Sequence, residues 1–376
     1  MSGTSMTLTA ESGVKAVARP VTSNTRLESL DVFRGLTMAA MVIVNNPGDW
    51  AHVYRPLLHA EWHGWTPTDL IFPFFLFIVG ITLTLSRSHA SWARLLRRTV
   101  LLVGLGLLLG AFPFFQLETM RIPGVLQRIG ICYLAAAIIL RRTSSVAALL
   151  AATSALTLGY WALLMWVPPG AGDLSPAGNL GAHVDRALMG GHLWKSDFDP
   201  EGLLSTIPAV ATTLLGAVTG ILMQSASSRR RIVVTLLAGG AAGIVIGLLW
   251  NVVFPINKSL WTSSYVFFTA GMAAMILAGC YAAIDAWPST LSRAVARPLI
   301  VLGTNAILLY VLSSLIARLL DAVKIGGVTA KARVYDSWFA PIASPINASL
   351  LFAIANLALL FIVLLPLYRR RIFLKL

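Results

Sequence analysis

The sequence predicts an all-α integral membrane protein with about ten transmembrane helices. Of its 376 residues, 57% are hydrophobic and only 12% are charged, and the mean hydropathy is +0.78. A soluble protein of this length needs a more highly charged surface. Many apolar runs reach the roughly 20 residues that span a bilayer, and we find no run of short alternating segments typical of a membrane barrel.

The apolar runs divide the chain into ten predicted helices joined by polar loops. These helices span residues 33–47, 68–86, 97–115, 123–140, 146–167, 206–225, 231–253, 262–284, 298–320 and 346–368. Residues 1–30 are polar, rich in Ser and Thr, and lack the apolar core of a signal peptide, so we expect a disordered cytoplasmic tail. Residues 31–376 then form one transmembrane domain.

The distribution of basic residues predicts the orientation of this domain. One side of the membrane holds 19 of the 29 Lys and Arg residues and only four acids, whereas the other side holds ten basic and eleven acidic residues. An excess of Lys and Arg marks the cytoplasmic face, so we expect both termini inside and the loops 48–67 and 168–205 outside. The net charge of +14 is mostly this orientation signal. Because the basic residues are scattered over short loops, no nucleic-acid partner is expected.

The stretch LLHAEWHGWTPTDLIFPFFLFIVG, residues 57–80, gathers ionisable side chains just before an apolar helix. Zinc would need a third ligand such as Glu61 or Asp69 beside His59 and His63, but the order H-A-E-W-H lacks the H-E-x-x-H spacing, so no metal site is expected. A neutral imidazole, with a reference pKa of about 6.5, suits proton transfer near neutral pH. The alternative is an interfacial histidine within an aromatic belt.

Asp69 enters the second helix and has two interpretations. A carboxylate in the first helical turn complements the helix dipole, and a carboxylate beside a histidine orients it in many acid–base sites. Pro73, four residues later, is expected to kink the helix or leave a carbonyl free.

Several arginines are candidates for binding an anionic ligand. Arg34, at the cytoplasmic end of the first helix near Asp31, is either an ion-paired or snorkelling anchor or a phosphate ligand. Arg97 and Arg98 also lie on the cytoplasmic face. Arg128 lies inside an apolar run, where a charge is unfavourable unless it faces the protein interior or a wet cavity.

Three further features of the sequence concern helix packing, the cysteines and the longest outer loop. Gly239, Gly243 and Gly247 recur at four-residue spacing and predict a helix-packing face. Cys132 and Cys280 both fall in apolar runs, which gives neither a disulfide framework nor a metal cluster. The outer loop 168–205 is rich in Gly, Pro, Asp and His, and loops of this length often bind something or are disordered.

Eight stretches, in this order, carry a family resemblance. They are RLESLDVFRGLTMAAMVIVN, HAEWHGWTPTDLIFPFFLFIVG, RIPGVLQRIGICYLAAA, VDRALMGGHLW, FDPEGLLSTIPAV, FPINKSLWTSSYVFFTAG, GTNAILLYV and RRRIFLKL. In combination they resemble heparan-α-glucosaminide N-acetyltransferase, a lysosomal membrane enzyme, and its bacterial relatives. The resemblance implies an acetyltransferase, with no metal, that uses cytosolic acetyl-CoA to acetylate an amino sugar on the opposite side of a bacterial inner membrane.

The resemblance also implies roles for particular residues. The family's catalytic histidine falls in the motif H-A-x-W-x-G, which here begins at His59, and the family asparagine and aspartate match Asn45 and Asp69. Acetyl-CoA would bind Arg34 first, with Arg97, Arg98 and Arg128 as further candidates. The expected contacts to the sugar are Glu61, Trp62, Trp65, Asp199 and Glu201. A homodimer is a further expectation.

The chain departs from the family pattern in its acceptor region. We expect no large lumenal domain before the first helix, NPGDWAHVYRPLL replaces a glycine-rich family segment, and His63 stands where the family has asparagine. We favour direct attack of the amine on the thioester with His59 as general base, and an acetyl-imidazole route stays open. A transporter or flippase for a sugar-containing substrate is the alternative function, although no second copy of the His59 motif is found.

Overall fold

The computed structural model describes residues 27–85 and 91–374, and this part of the chain is all-α. Its strands, β1 (Lys324–Ile325) and β2 (Val328–Thr329), form a small antiparallel hairpin. Its α-helices are α1 (Glu28–Asn45), α2 (Ile71–Leu85), α3 (Trp92–Ala111), α4 (Val125–Arg142), α5 (Val146–Trp166), α6 (Leu180–Met189), α7 (Leu203–Ser225), α8 (Arg229–Trp250), α9 (Ser263–Tyr281), α10 (Thr290–Thr304), α11 (Ala306–Ala322), α12 (Ala330–Val334) and α13 (Pro345–Arg369).

The described residues include six helical segments that are long and apolar enough to cross a membrane. These segments are Pro67–Leu85, Val146–Trp166, Thr206–Ser225, Arg229–Trp250, Ser263–Ala286 and Pro345–Arg369, and α10 with α11 would make a seventh if the bent pair is one span. Helices α1, α3 and α4 are 18 to 20 residues long but carry three charged side chains each. Ten spans with both termini inside stay a prediction.

The predicted ninth helix, 298–320, is wrong as a single helix. The chain is helical from Thr290 to Ala322, but α10 and α11 meet at Asn305 with a bend of 74°. The buried amide of Asn305 donates to the carbonyl of Ile372 at 3.2 Å and accepts from the N–H of Leu374 at 3.0 Å. The C-terminal segment therefore packs into the break through hydrogen bonds that a continuous-helix prediction does not include.

The first helix begins at Glu28, five residues before its predicted start at 33. Glu28 and Asp31 lie in its first turn, where acidic side chains complement the helix dipole. The side chain of Asp285, just beyond α9, accepts the N–H of Ser29 at 3.1 Å. Most of the predicted tail, residues 1–26, lies outside the described residues, as do Arg87, His89 and Lys375.

Glycines bring neighbouring helices into close contact, as the sequence predicted for α8. A Cβ on Gly243 or Gly247 would collide with α9 near Gly271 and Phe268. Gly239 was wrongly included in this face, because nothing described lies within 4 Å of its Cβ position; Gly240, one residue on, faces α9 instead. Close packing of small residues is the usual source of helix association in membranes.

The helix that follows the predicted histidine site is held in the same way. A Cβ on Gly80 of α2 would lie 1.9 Å from the carbonyl oxygen of Thr213 in α7, and one on Gly216 of α7 would lie 2.0 Å from that of Phe77 in α2. The backbones of α2 and α7 are therefore in direct contact. This contact fixes the helix that begins two residues after Asp69.

Candidate active site

A cavity of about 410 Å³ opens between helices α1, α2, α4 and α11. Its wall between the helices is mainly apolar and includes Met38, Met41, Phe75, Ile129 and Ile307. Its other wall comes from polar connecting segments and carries most of the ionisable side chains. Six residues predicted for the site line this cavity together: Asn45, His59, Glu61, Trp62, Asp69 and Glu201.

The centre of the site is a hydrogen-bonded pair of His59 and Asp69. Nδ1 of His59 lies 2.7 Å from Oδ1 of Asp69, whose side chain is 1% exposed, whereas that of His59 is 50% exposed. With Nδ1–H donated to the carboxylate, the other ring nitrogen, Nε2, is left with its lone pair. An imidazole held in this tautomer can accept a proton from a ligand.

A short 3₁₀ helix, Pro67–Leu70, positions the carboxylate of Asp69. Its second oxygen, Oδ2, accepts the N–H of Ala60 at 3.0 Å and the N–H of Thr66 at 2.9 Å, and the Thr66 hydroxyl lies 3.2 Å away. Asp69 therefore serves both as the acidic residue of a capping box and as the partner of His59. Asp69 thus lies at a helix start and contacts His59, and its part in acid–base chemistry stays a prediction.

Pro73 has the effect predicted from the sequence. Proline has no N–H, so the carbonyl of the residue four positions earlier, Asp69, receives no helical hydrogen bond from it. The buried hydroxyl of Tyr265 in α9 donates to that carbonyl instead. The backbone of Asp69 is thereby tied to α9.

Lys258 is a site residue to which the sequence analysis assigned no role. Its Nζ lies 3.0 Å from Nδ1 and 3.1 Å from Nε2 of His59, and 3.8 Å from Oδ1 of Asp69. Burial lowers the pKa of Lys258, and the Asp69 carboxylate opposes that shift. The one signal in the sequence was its presence in FPINKSLWTSSYV, one of the stretches that carry the family resemblance.

Arg121 joins the two acidic residues predicted from the outer loop. Its Nε donates to Oδ2 of Asp199 at 2.8 Å, and a terminal nitrogen contacts Glu201. Burial opposes the charge of Arg121, but the two carboxylates outweigh it and raise the pKa of the guanidinium. Asp199 also accepts the N–H of Trp194 at 2.8 Å, so it holds the loop together, whereas Glu201 lines the cavity.

The other predicted sugar-binding residues are divided between the cavity and its surroundings. Glu61 and Trp62 line the cavity, and the indole N–H of Trp62 donates to the carbonyl of Leu174 at 2.7 Å. Trp65 lies outside the lining and packs on Phe268, with a ring-centroid distance of 4.9 Å.

The arginines predicted to bind acetyl-CoA do not line the cavity. Arg34 lies at the other end of α1 from Asn45, 3.0 Å from Asp31 and 3.3 Å from the hydroxyl of Thr82. The remaining three lie on α3 and α4: Arg97 is exposed, Arg98 stacks on the Tyr133 ring at 4.5 Å, and Arg128 is buried with its guanidinium 5.1 Å from the centre of the Trp261 ring.

The fold and this site define a class: a multi-helix membrane protein with an imidazole–carboxylate pair on the wall of a cavity within its bundle. A family model described as heparan-alpha-glucosaminide N-acetyltransferase, catalytic, matches residues 26–249. The chain therefore belongs to this family.

Two curated relatives are consistent with that assignment. The heparan-alpha-glucosaminide N-acetyltransferase of Homo sapiens is 30% identical over 357 residues, which cover 76% of this chain and 52% of the relative. The protein of the same name from Mus musculus is 29% identical over 362 residues, which cover 77% of this chain and 53% of the relative. The chain thus spans about half the length of the curated relatives it matches.

Proposed function

We propose that the protein is a transmembrane N-acetyltransferase. It moves an acetyl group from cytosolic acetyl-CoA to the amine of an amino sugar, such as a glucosamine-type glycan end, on the outer side of a bacterial inner membrane. The observation that carries the proposal is the His59–Asp69 pair, joined at 2.7 Å on the wall of a cavity that runs between membrane helices. Family membership supports the same chemistry.

The shape and lining of the cavity fit an elongated acyl donor. Along α1 the cavity extends from Asn45 to Thr37, a distance of about 12 Å at 1.5 Å per residue. Arg34 follows one helical turn beyond Thr37. Apolar side chains along this path suit an alkyl-amide arm, and guanidinium groups suit phosphates. We therefore assign Arg34 as the first phosphate ligand, with Arg97 and Arg98 as further candidates for the donor end. Arg128, predicted together with them, donates instead to the carbonyl of Gly202 at 3.0 Å, at the end of the outer loop.

The polar wall of the cavity fits an amine-bearing sugar. Glu61 and Glu201 offer acceptors for hydroxyl and ammonium groups, Trp62 offers an aromatic face, and Asn45 offers an amide at the end of α1. Because Arg121 contacts Glu201, that carboxylate is held in a fixed orientation. These side chains lie in the same cavity as His59. An acceptor bound to them is therefore close to the base that is to deprotonate it.

In the proposed reaction His59 acts as general base in a direct transfer. Nε2 takes a proton from the acceptor nitrogen as the new N–C bond forms and the C–S bond of the thioester breaks. The departing thiolate then takes that proton, so His59 returns to its neutral form. Asp69 keeps the other ring proton on Nδ1 throughout.

The orientation of the chain is part of this proposal, because donor and acceptor come from opposite sides. Single cysteines placed at residue 190 and at residue 229 would test it with a membrane-impermeant thiol reagent. We expect the cysteine at 190 to react from outside and the cysteine at 229 to be protected in intact cells. The opposite pattern would place His59 on the cytoplasmic side and contradict transmembrane transfer.

The direct experiment is acetyl transfer by purified protein in detergent. Labelled acetyl-CoA is offered with a panel of amino sugars, and His59→Ala is compared with His52→Ala. His52 lies 2.6 Å from Asp49 outside the cavity, so it is a matched imidazole–carboxylate control. We expect turnover in the wild type and in His52→Ala but not in His59→Ala. The proposal fails if no amine is acetylated, or if both variants behave alike.

One observation favours a second function, transport of a sugar-containing substrate. The bend of 74° between α10 and α11 makes a discontinuous helix, and Ala306 and Ile307 just after the break line the cavity. Interrupted helices at a binding site are typical of secondary transporters. Uptake or flipping of labelled sugar by proteoliposomes without acetyl-CoA would favour this alternative.

A further inference from the structure

Lys258 approaches the imidazole of His59 from a rigid loop. The buried side chain of Asn257 accepts the N–H of Leu260 at 2.8 Å, and the Asn257 N–H donates to the hydroxyl of Thr262 at 3.0 Å. The carbonyl of Ile256 accepts the N–H of Gly64 at 2.8 Å, which links this loop to the loop of His59. These contacts fix the loop next to that of His59, and from it the Lys258 ammonium reaches both ring nitrogens of His59.

The ammonium group and the Asp69 carboxylate act on His59 in opposite directions. A carboxylate at 2.7 Å favours the charged imidazolium form, and an ammonium at 3.0–3.1 Å from both ring nitrogens disfavours it. Asp69 alone would stabilise the form of His59 that cannot accept a proton. A nearby cation offsets this effect and shifts the imidazole toward its neutral form.

The other cationic side chains that line the cavity are paired with groups other than His59. Arg121 and Glu201 are paired with each other, and the Lys195 ammonium lies over the Trp194 ring at 4.9 Å. The ionisable side chains that line the cavity around His59 are Glu61 from its own loop, Asp69 before α2, Arg121 before α4, Lys195 and Glu201 before α7, Lys258 before α9 and Tyr310 from α11.

We propose that Lys258 is a positioning residue that holds His59 in its neutral, proton-accepting form and destabilises the imidazolium formed during transfer. This assignment rests on the proposed function, and it has two consequences for the proton on His59. Before transfer, Lys258 disfavours protonation of Nε2 although Asp69 is ionised. After transfer, repulsion between ammonium and imidazolium favours passage of the proton to the departing thiolate, which restores neutral His59.

The test compares full-length Lys258→Met and Lys258→Arg with the wild type in detergent. Methionine keeps the length and removes the charge, whereas arginine keeps the charge. Diethylpyrocarbonate modifies neutral imidazole, so the extent of labelling of the His59 peptide, followed by mass spectrometry across pH, reports its protonation without turnover. His52, with a side chain 49% exposed against 50% for His59, is the internal reference.

We expect the labelling midpoint of His59 to move up by about one pH unit or more in Lys258→Met, a tenfold change in protonation. It should stay near the wild-type value in Lys258→Arg, and that of His52 should not move. The rising limb of the pH–rate profile should shift by the same amount, with much of the rate recovered at high pH.

A merely structural role gives a different result. If Lys258→Met loses activity equally at every pH and the His59 midpoint is unchanged, the assignment is overturned. If the wild type acetylates no amine while the midpoint still moves, the proposed function fails and the charge relation between Lys258 and His59 stands. Should Lys258→Met not fold, Lys258→Gln replaces it in both measurements.

Discussion

Replacing Asp69 with asparagine tests the tautomer argument directly. The carboxylate oxygen Oδ2 receives the N–H groups of Ala60 and Thr66 at 3.0 and 2.9 Å, so the amide oxygen of asparagine must take that position. The amide NH₂ then faces Nδ1 of His59 in place of Oδ1. Because NH₂ only donates, Nδ1 must become an acceptor and the ring proton must move to Nε2.

A histidine with its proton on Nε2 cannot serve as general base toward the cavity. General-base help contributes about 10²–10⁴ in rate, and the corresponding change in serine protease triads lowers kcat by about 10⁴. We therefore expect Asp69→Asn to lose roughly 10²–10⁴ in kcat while it still binds acetyl-CoA. The loss should approach that of His59→Ala, since both remove the base.

The assay is single-turnover transfer of labelled acetyl to an amino sugar, with acetyl-CoA affinity measured separately. Asp49→Asn is the matched control, because Asp49 makes the same contact to His52 at 2.6 Å without lining the cavity. It should retain normal turnover. If Asp69→Asn keeps kcat within threefold of the wild type, both the tautomer argument and the assignment of His59 as general base are wrong.

Three further outcomes are expected. His59→Ala should lose at least about 10²-fold in turnover while His63→Ala stays active, and a dead His63→Ala with an active His59→Ala would reverse the assignment. Arg34→Ala should weaken acetyl-CoA binding by about 1.5–3 kcal/mol, measured by calorimetry, and unchanged affinity in a folded variant would remove Arg34 from the donor site. Burial raises the pKa of Asp185 from 3.8 to about 6, so its contribution to stability is present below about pH 4 and lost as pH rises through 6. Asp185→Asn should therefore show a smaller fall in thermal midpoint between pH 4 and 7 than the wild type, and equal falls would contradict this reasoning.

The sequence by itself determined the all-α fold class and most helix positions, and it singled out His59 and Asp69, which the structure brings into contact. Apolar runs long enough to span a bilayer leave few alternatives to helices, because backbone polar groups in lipid must be paired within the segment. Local pattern also placed Asp69 at a helix start and Pro73 four residues later, where the missing N–H leaves the carbonyl of residue 69 for another donor. These features are local, so the sequence could specify them.

The tertiary structure decided which residues distant in sequence come into contact. Lys258 lies 199 residues from His59, and no pattern within either segment indicates that they meet. The break at Asn305 depends on backbone groups near Ile372, and Asp199 pairs with Arg121, which lies 78 residues earlier in the chain. Each of these contacts joins segments distant in sequence, and such pairings are set by how the helices pack, which hydrophobic periodicity alone does not specify.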